Sequence, residues 1–226
     1  MNTALESLPT TIADLRTIAT PAVDHRIMPF GIPALDDRLA SGGLRAGALH
    51  EVAAQSCSMV DDAAATLFLA GIAAREAAHT RGPVLWVSCR NDLYAPGLEQ
   101  AGLSSADLIH AQPRDDAALL AVVEDAVRDG TPSAVIAEVS RMSMVATRRL
   151  QLVAADADIP VLILRRRRNR DQDPLAEPSA AWTRWRIASA SSERLGGCRR
   201  RPIAVAGRGR TAAWRQSVFD DFGGLR

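Results

Sequence analysis

The chain has 226 residues, 47% hydrophobic and 23% charged, which fits one globular domain with a sizeable core and short extensions. Cys57, Cys89 and Cys198 lie far apart, without pairing or metal-ligand spacing. The N-terminus carries Glu6 and Asp14 and lacks an apolar core, and the longest apolar run, Ala63 to Ala74, is short. A reducing, cytoplasmic setting is therefore expected, with no disulfide scaffold, metal centre, secretory signal or membrane span. Net charge is +1, but 12 Arg face 20 acids up to Leu164, whereas 15 Arg face 6 acids from Arg165 onward. That asymmetry points to a nucleic-acid or acidic partner for the basic part.

In chain order, residues 1–26 read as a helical arm. Thr11 and Asp14 form a capping pair for a short helix, Ile12 to Ala19, that ends before Pro21. Leu8, Ile12, Leu15 and Ile18 share one face, suited to packing on the core or to partner and self-association. Next come Phe30-Gly31-Ile32-Pro33-Ala34-Leu35-Asp36, a Gly42-Gly43-Leu44 turn and a strand, Ala48 to Ala54. After the loop Gln55 to Val60, an alanine-rich helix is predicted from Asp61 to Ala77 and a buried strand over Val84 to Val87. A helix from Tyr94 to Ala101 closes at Gly102, and Leu108-Ile109 starts a short strand. Asp115 and Asp116 can cap a helix whose Leu119, Leu120, Val122, Val123 and Val127 face the core, with Gly130 past its end. Ser133 to Val139 reads as a strand, Ser143 to Ala157 as a helix and Ile159 to Leu164 as a strand. This alternation predicts an α/β fold, a parallel sheet covered by helices on both faces.

After Leu164 the pattern breaks. Arg165 to Arg170 is a charged run, Asp171 to Ser179 a proline-containing loop, and Trp182 to Ser189 an edge strand. From Gly196 onward Gly and Arg dominate with little period, and poor order is expected. The chain divides into an arm (1–26), a core (27–190) and an Arg/Gly-rich tail (191–226).

The run Gly31 to Asp36, followed by Gly42-Gly43-Leu44, Gly47 and an apolar strand, resembles the opening of the RecA-type recombinase core. The missing phosphate loop, the short length and the Arg-rich end resemble the ImuA family, RecA-related accessory proteins of bacterial mutagenic repair cassettes. The resemblance implies a RecA-like core spanning about Phe30 to Ile187 and an arm used for subunit contacts. It also implies a place in DNA-damage-induced mutagenesis and translesion synthesis, beside an ImuB-like polymerase-related protein and an error-prone polymerase.

A phosphate loop would sit between the Ala48–Ala54 strand and its helix, with glycines closing main-chain N–H groups around the phosphates and a lysine neutralising them. Here Gln55, Ser56, Cys57 and Ser58 occupy that place without glycine, and the chain contains no lysine. In RecA-type cores a water-orienting acid follows the next strand, where this chain has Cys89, Arg90 and Asn91. Glu138 stands where a magnesium-organising acid would, and its simpler reading is a polar residue at a strand end. No cofactor, no metal and no ATP hydrolysis are expected. The histidines are scattered, and His50 reads as a hydrogen-bonded core residue.

Arg165, Arg166, Arg167, Arg168 and Arg170 follow the last strand of the predicted core, and RecA-type cores contact single-stranded DNA from loops at this edge. With Arg199, Arg200 and Arg201 they are the candidate partner or nucleic-acid contacts, with plain solvation as the bland alternative. Trp182 and Trp185 read as core anchors. The expected function is a non-catalytic adaptor. A single-stranded DNA-binding module, a cell-division inhibitor of the damage response and a divergent ATPase stand as alternatives.

Overall fold

The computed structural model describes residues 25–39, 41–167 and 169–190, and the backbone of 203–209 and 213–218. A small antiparallel pair, β1 (Ile27–Met28) and β2 (Leu44–Arg45), precedes the main sheet. Between them the glycine-rich opening is explained atom by atom. Asp36, in the single turn α1 (Pro33–Asp36), accepts hydrogen bonds from the main-chain N–H groups of Phe30 (2.7 Å) and Ile32 (3.1 Å). Gly42 has φ of 72°, and a Cβ on Gly43 would stand 2.5 Å from the Met28 carbonyl oxygen, so the turn has no room for a side chain there.

The main sheet has eight strands in the order β10-β9-β8-β3-β7-β6-β4-β5. These are β3 (Leu49–Ala54), β4 (Val84–Ser88), β5 (Leu108–Ala111), β6 (Ala134–Val139), β7 (Val161–Arg165), β8 (Thr183–Ser189), β9 (Ile203–Gly209) and β10 (Ala213–Val218). The six from β8 to β5 in sheet order are parallel, and β9 and β10 continue antiparallel. The expected edge strand, β8, is therefore interior, paired with β3 on one side and β9 on the other. Two strands also stand in the region whose Gly/Arg composition suggested little order.

Helices α2 (Met59–Thr80) and α3 (Ala95–Gln100) cover one face, and α4 (Asp116–Asp129) and α5 (Met144–Ala157) the other. The connections β3–α2–β4 and β4–α3–β5 run in one direction across the sheet. Those through α4 and α5 run back, and right-handed crossovers put the two sets on opposite faces. The strands alternate accordingly. Val84, Trp86, Ile136, Leu162, Leu164, Trp185 and Ile187 pack beneath α2, while Leu85, Val87, Val135, Val139, Val161 and Ile163 pack beneath α4 and α5. Trp185, 1% exposed, forms an aromatic cluster with Phe30 and Phe68 at centroid distances of 5.5–5.7 Å.

Main-chain geometry ends each helix. Serine or aspartate caps start α2 (Ser58), α4 (Asp115) and α5 (Ser143), and left-handed residues Arg81, Gly130 and Asp158 close them. Among the described residues no helix is long and apolar enough to cross a membrane.

Candidate functional site

In a parallel α/β sheet, ligands and partners meet the crevice outside the carboxyl ends of the strands, where the direction of the connections reverses. Here that point lies between β3 and its neighbour β7. The chain leaves β3 for α2 on one face, and the segment after β7 returns across β3 to reach β8. A cavity of about 280 Å³ opens between them, lined by Ser56, Cys57, Ser58, Met59, Asp62, Arg90, Arg166, Arg167, Asn169 and Arg170.

The loop between β3 and α2, where the sequence offered no phosphate cradle, is closed by the chain's own groups. The Ser58 hydroxyl accepts from the Asp61 N–H (3.1 Å) and caps α2. The Ser56 hydroxyl donates to one Asp61 carboxylate oxygen and accepts from the Ser58 N–H (3.1 Å). The other Asp61 oxygen accepts from the main-chain N–H (2.9 Å) and hydroxyl (3.1 Å) of Ser189, tying the first turn of α2 to the end of β8. Desolvation opposes ionisation of Asp61, but the Ser56 and Ser189 hydrogen bonds outweigh it and hold the carboxyl below its ordinary range. An internal carboxylate thus occupies the anion-favouring end of the helix. Gln55 is exposed and contributes its main chain, donating N–H to the Ile187 carbonyl (2.7 Å); Cys57 is an exposed free thiol.

Glu138 is 5% exposed and engaged through both oxygens. One accepts from the Trp86 indole N–H (2.8 Å) and the other from Arg166 Nε (2.9 Å). Arg166 also pairs with Asp62. Burial lowers the basicity of Arg166, and the carboxylates of Glu138 and Asp62 more than reverse this. At the end of β4, the Ser88 hydroxyl donates to the Arg90 carbonyl (2.8 Å), Arg90 pairs with Asp92, and Cys89 packs at the margin of the core beneath α4 and α5. Burial of Cys89 and the nearby Asp116 and Asp115 push its thiol above the ordinary value. No group of three metal-ligating side chains occurs among the described residues.

The arginine run requires correction in its first members. Arg165 does not leave the last buried strand; it ends β7 with its side chain 2% exposed. Its guanidinium donates to Glu51 (3.0 Å) and Glu177 (3.4 Å), and Arg184 donates to the second Glu51 oxygen (2.8 Å). Glu51 is 0% exposed, so Arg165 neutralises a buried carboxylate and is inaccessible to nucleic acid. Arg166 is spent on Glu138 and Asp62. Arg167 donates to the carbonyls of Gln172 (2.8 Å) and Gln55 (3.0 Å), linking the two loops that flank the cavity. Of the described members, Arg170 alone is exposed, on the rim of the cavity. Arg168, Arg199, Arg200, Arg201 and the arm residues Leu8, Ile12, Leu15 and Ile18 lie outside the described residues.

His50 is a core residue, as its position on a central strand implied. Its two ring nitrogens lie 2.7 Å from the Thr183 hydroxyl and 2.8 Å from the Arg45 carbonyl, and burial lowers its pKa to about 4. Trp182 lies under Arg45 at 4.7 Å, on the opposite edge of the sheet from the cavity. Sequence reasoning missed Glu51, Asp62, Asp173 and Glu177 as arginine partners. Only the Asp61-Asp62 pair, two acids in a helix's first turn, offered a local signal.

No protein-family model matches the chain. Two curated sequences named Protein ImuA, from Caulobacter vibrioides strains NA1000 and CB 15, are each 35% identical over 170 residues. The match covers 74% of this chain and 70% of theirs. Among solved structures, SulA from Pseudomonas aeruginosa aligns at 22% identity and a TM-score of 0.43, over 52% of this chain and 96% of that one.

Proposed function

The chain belongs to the ImuA family, and from that premise we infer that it serves as a non-catalytic accessory protein in DNA-damage-induced mutagenesis. Its partners in this reading are an ImuB-like polymerase-related protein and an error-prone polymerase. The observation that carries the reading is the joint loss and replacement at the phosphate position. Asp61, held by Ser56 and Ser189, sits at the start of α2, and Glu138 has both oxygens committed to Trp86 and Arg166. A phosphate there would meet a carboxylate, and a magnesium ion would have to displace an arginine. What remains is a rigid sheet that presents loops, and binding to a partner takes the place of chemistry.

The test is affinity capture of the tagged full chain from cells after DNA damage, with mass spectrometry of the captured proteins. Recovery of a polymerase or polymerase-like protein is expected. Its absence, with the tagged chain folded and expressed, overturns the adaptor reading.

A further inference from the structure

Seven large apolar side chains are exposed among the described residues, and five belong to helix starts at the carboxyl edge of the sheet. Met59 (88% exposed) and Val60 follow β3, Tyr94 (70%) follows β4, and Met144 and Val145 (70%) follow β6. The strand order β3-β7-β6-β4 places the arginine segment after β7 between the two methionine–valine pairs. At about 4.8 Å per strand, the ends of β3 and β6 stand about 10 Å apart, and the two pairs start helices on opposite faces of the sheet, so they flank the arginine segment from either side. Met59 itself lines the cavity with Arg90, Arg166, Arg167 and Arg170, against one lining carboxylate, Asp62. Arg170 has no carboxylate partner among the described residues, and Arg167 spends its hydrogen bonds on main-chain carbonyls.

Each feature has a bland explanation alone. A single exposed methionine is ordinary, and a helix start is exposed because a loop feeds it. Their coincidence at one edge is not ordinary: an apolar flank on each side of a cationic centre combines residue types enriched at protein interfaces, namely methionine, tyrosine and arginine. A single-stranded nucleic acid would need flat rings for its bases beside the cations. Among the described residues this edge holds one exposed ring, Tyr94, while Trp185 is in the core and Trp182 lies under Arg45 at the other edge, so successive bases would find no stacking platform beside the cations. Aliphatic flanks fit aliphatic anchors.

We propose that this carboxyl edge is a docking surface for an acidic segment of a partner protein, with apolar side chains seated on Met59–Val60 and Met144–Val145 and carboxylates on Arg170, in the field of the neighbouring Arg167. The proposal rests on the adaptor reading and specifies the surface and partner chemistry. Charge complementarity selects the occupant: Arg90 and Arg166 are matched by Asp92, Asp62 and Glu138, whereas Arg167 hydrogen-bonds main-chain carbonyls and Arg170 no carboxylate among the described residues, which leaves two guanidinium groups for an acidic partner.

The experiment is selection from a random 16-residue peptide display library on the immobilised full chain. The enriched peptides are then titrated by fluorescence polarisation against wild type, Met59→Ser/Met144→Ser, Arg170→Glu and a control, Leu152→Ser, which removes an exposed apolar side chain elsewhere. Enriched peptides should combine Asp or Glu with apolar residues. They should bind the edge variants about tenfold more weakly or worse, and bind the control like wild type. Absence of such a consensus, or equal binding to the edge variants, overturns the proposal. So does a 20-residue oligo-dT probe that binds wild type and is lost in Arg170→Glu but not in the methionine variant, which makes the edge a nucleic-acid surface. If the polymerase-like partner is captured equally by wild type and edge variants, the docking proposal fails while the adaptor reading stands.

Discussion

Replacing Arg165 by Met keeps most of the side-chain volume and removes the guanidinium from beside Glu51. Glu51 is 0% exposed and has two cationic partners, Arg165 at 3.0 Å and Arg184 at 2.8 Å. Breaking a buried pair from one side costs about 3–5 kcal/mol, because the remaining charge stays desolvated without its partner. Arg184 remains and is 24% exposed, so the lower end, about 3 kcal/mol, is expected. For a domain of this size, each kcal/mol moves the melting midpoint by about 2–4 °C, giving a drop of roughly 6–12 °C. Thermal and urea unfolding followed by circular dichroism would read it, with Arg170→Ala as an exposed control expected to stay within about 0.5 kcal/mol of wild type. The double variant Glu51→Gln/Arg165→Met should recover part of the loss, since the unpaired charge is gone. An Arg165→Met midpoint within about 2 °C of wild type would refute the assignment of this residue to the folded core.

His50 gives a pH signature. Its folded pKa, about 4, lies below the ordinary 6.5, so stability is fully present above pH 6.5 and falls as pH drops towards 4, by on the order of 3 kcal/mol. Urea midpoints measured across that window should show this limb, and His50→Gln should flatten it. Removing the α2 cap with Ser58→Ala should cost about 1 kcal/mol in urea unfolding, without loss of helical signal from the rest of the chain. Millimolar Mg·ATP should leave the melting midpoint of the full chain within about 1 °C; a shift of several degrees, abolished by Glu138→Gln, would restore a nucleotide site.

The core sheet was legible in the sequence wherever burial follows a local period. Val84-Leu85-Trp86-Val87 and the Leu119, Val123, Val127 face carry their own pattern, and both are buried as that pattern implies. The make-up of the loop before α2 was equally legible, since Gln55 to Ser58 contains neither glycine nor a cation, and its serines bond to Asp61 and the main chain of that loop. The roles of the arginines were not, because the acids that claim Arg165 and Arg166 lie 114 and 28 residues away, at Glu51 and Glu138. A run of like charges reads as a solvated face until the fold brings its counter-charges to it. The interior place of β8 was hidden for a related reason: its second neighbour, β9, is joined by a main-chain ladder rather than marked by an apolar repeat.

The position of β3 has a consequence for synthesis. Its two neighbours, β7 and β8, come from residues 161–165 and 183–189, so the His50–Thr183 contact closes a loop of 133 residues. A nascent chain that has exposed β4, β5 and β6 can pair those strands with one another, while β3 still has both flanks open. Closing so long a loop before its contacts form is entropically costly and slow. The first core strand to leave the ribosome is therefore among the last to be enclosed, and truncation before residue 183 leaves one of its flanks without its native strand on an otherwise complete half-sheet.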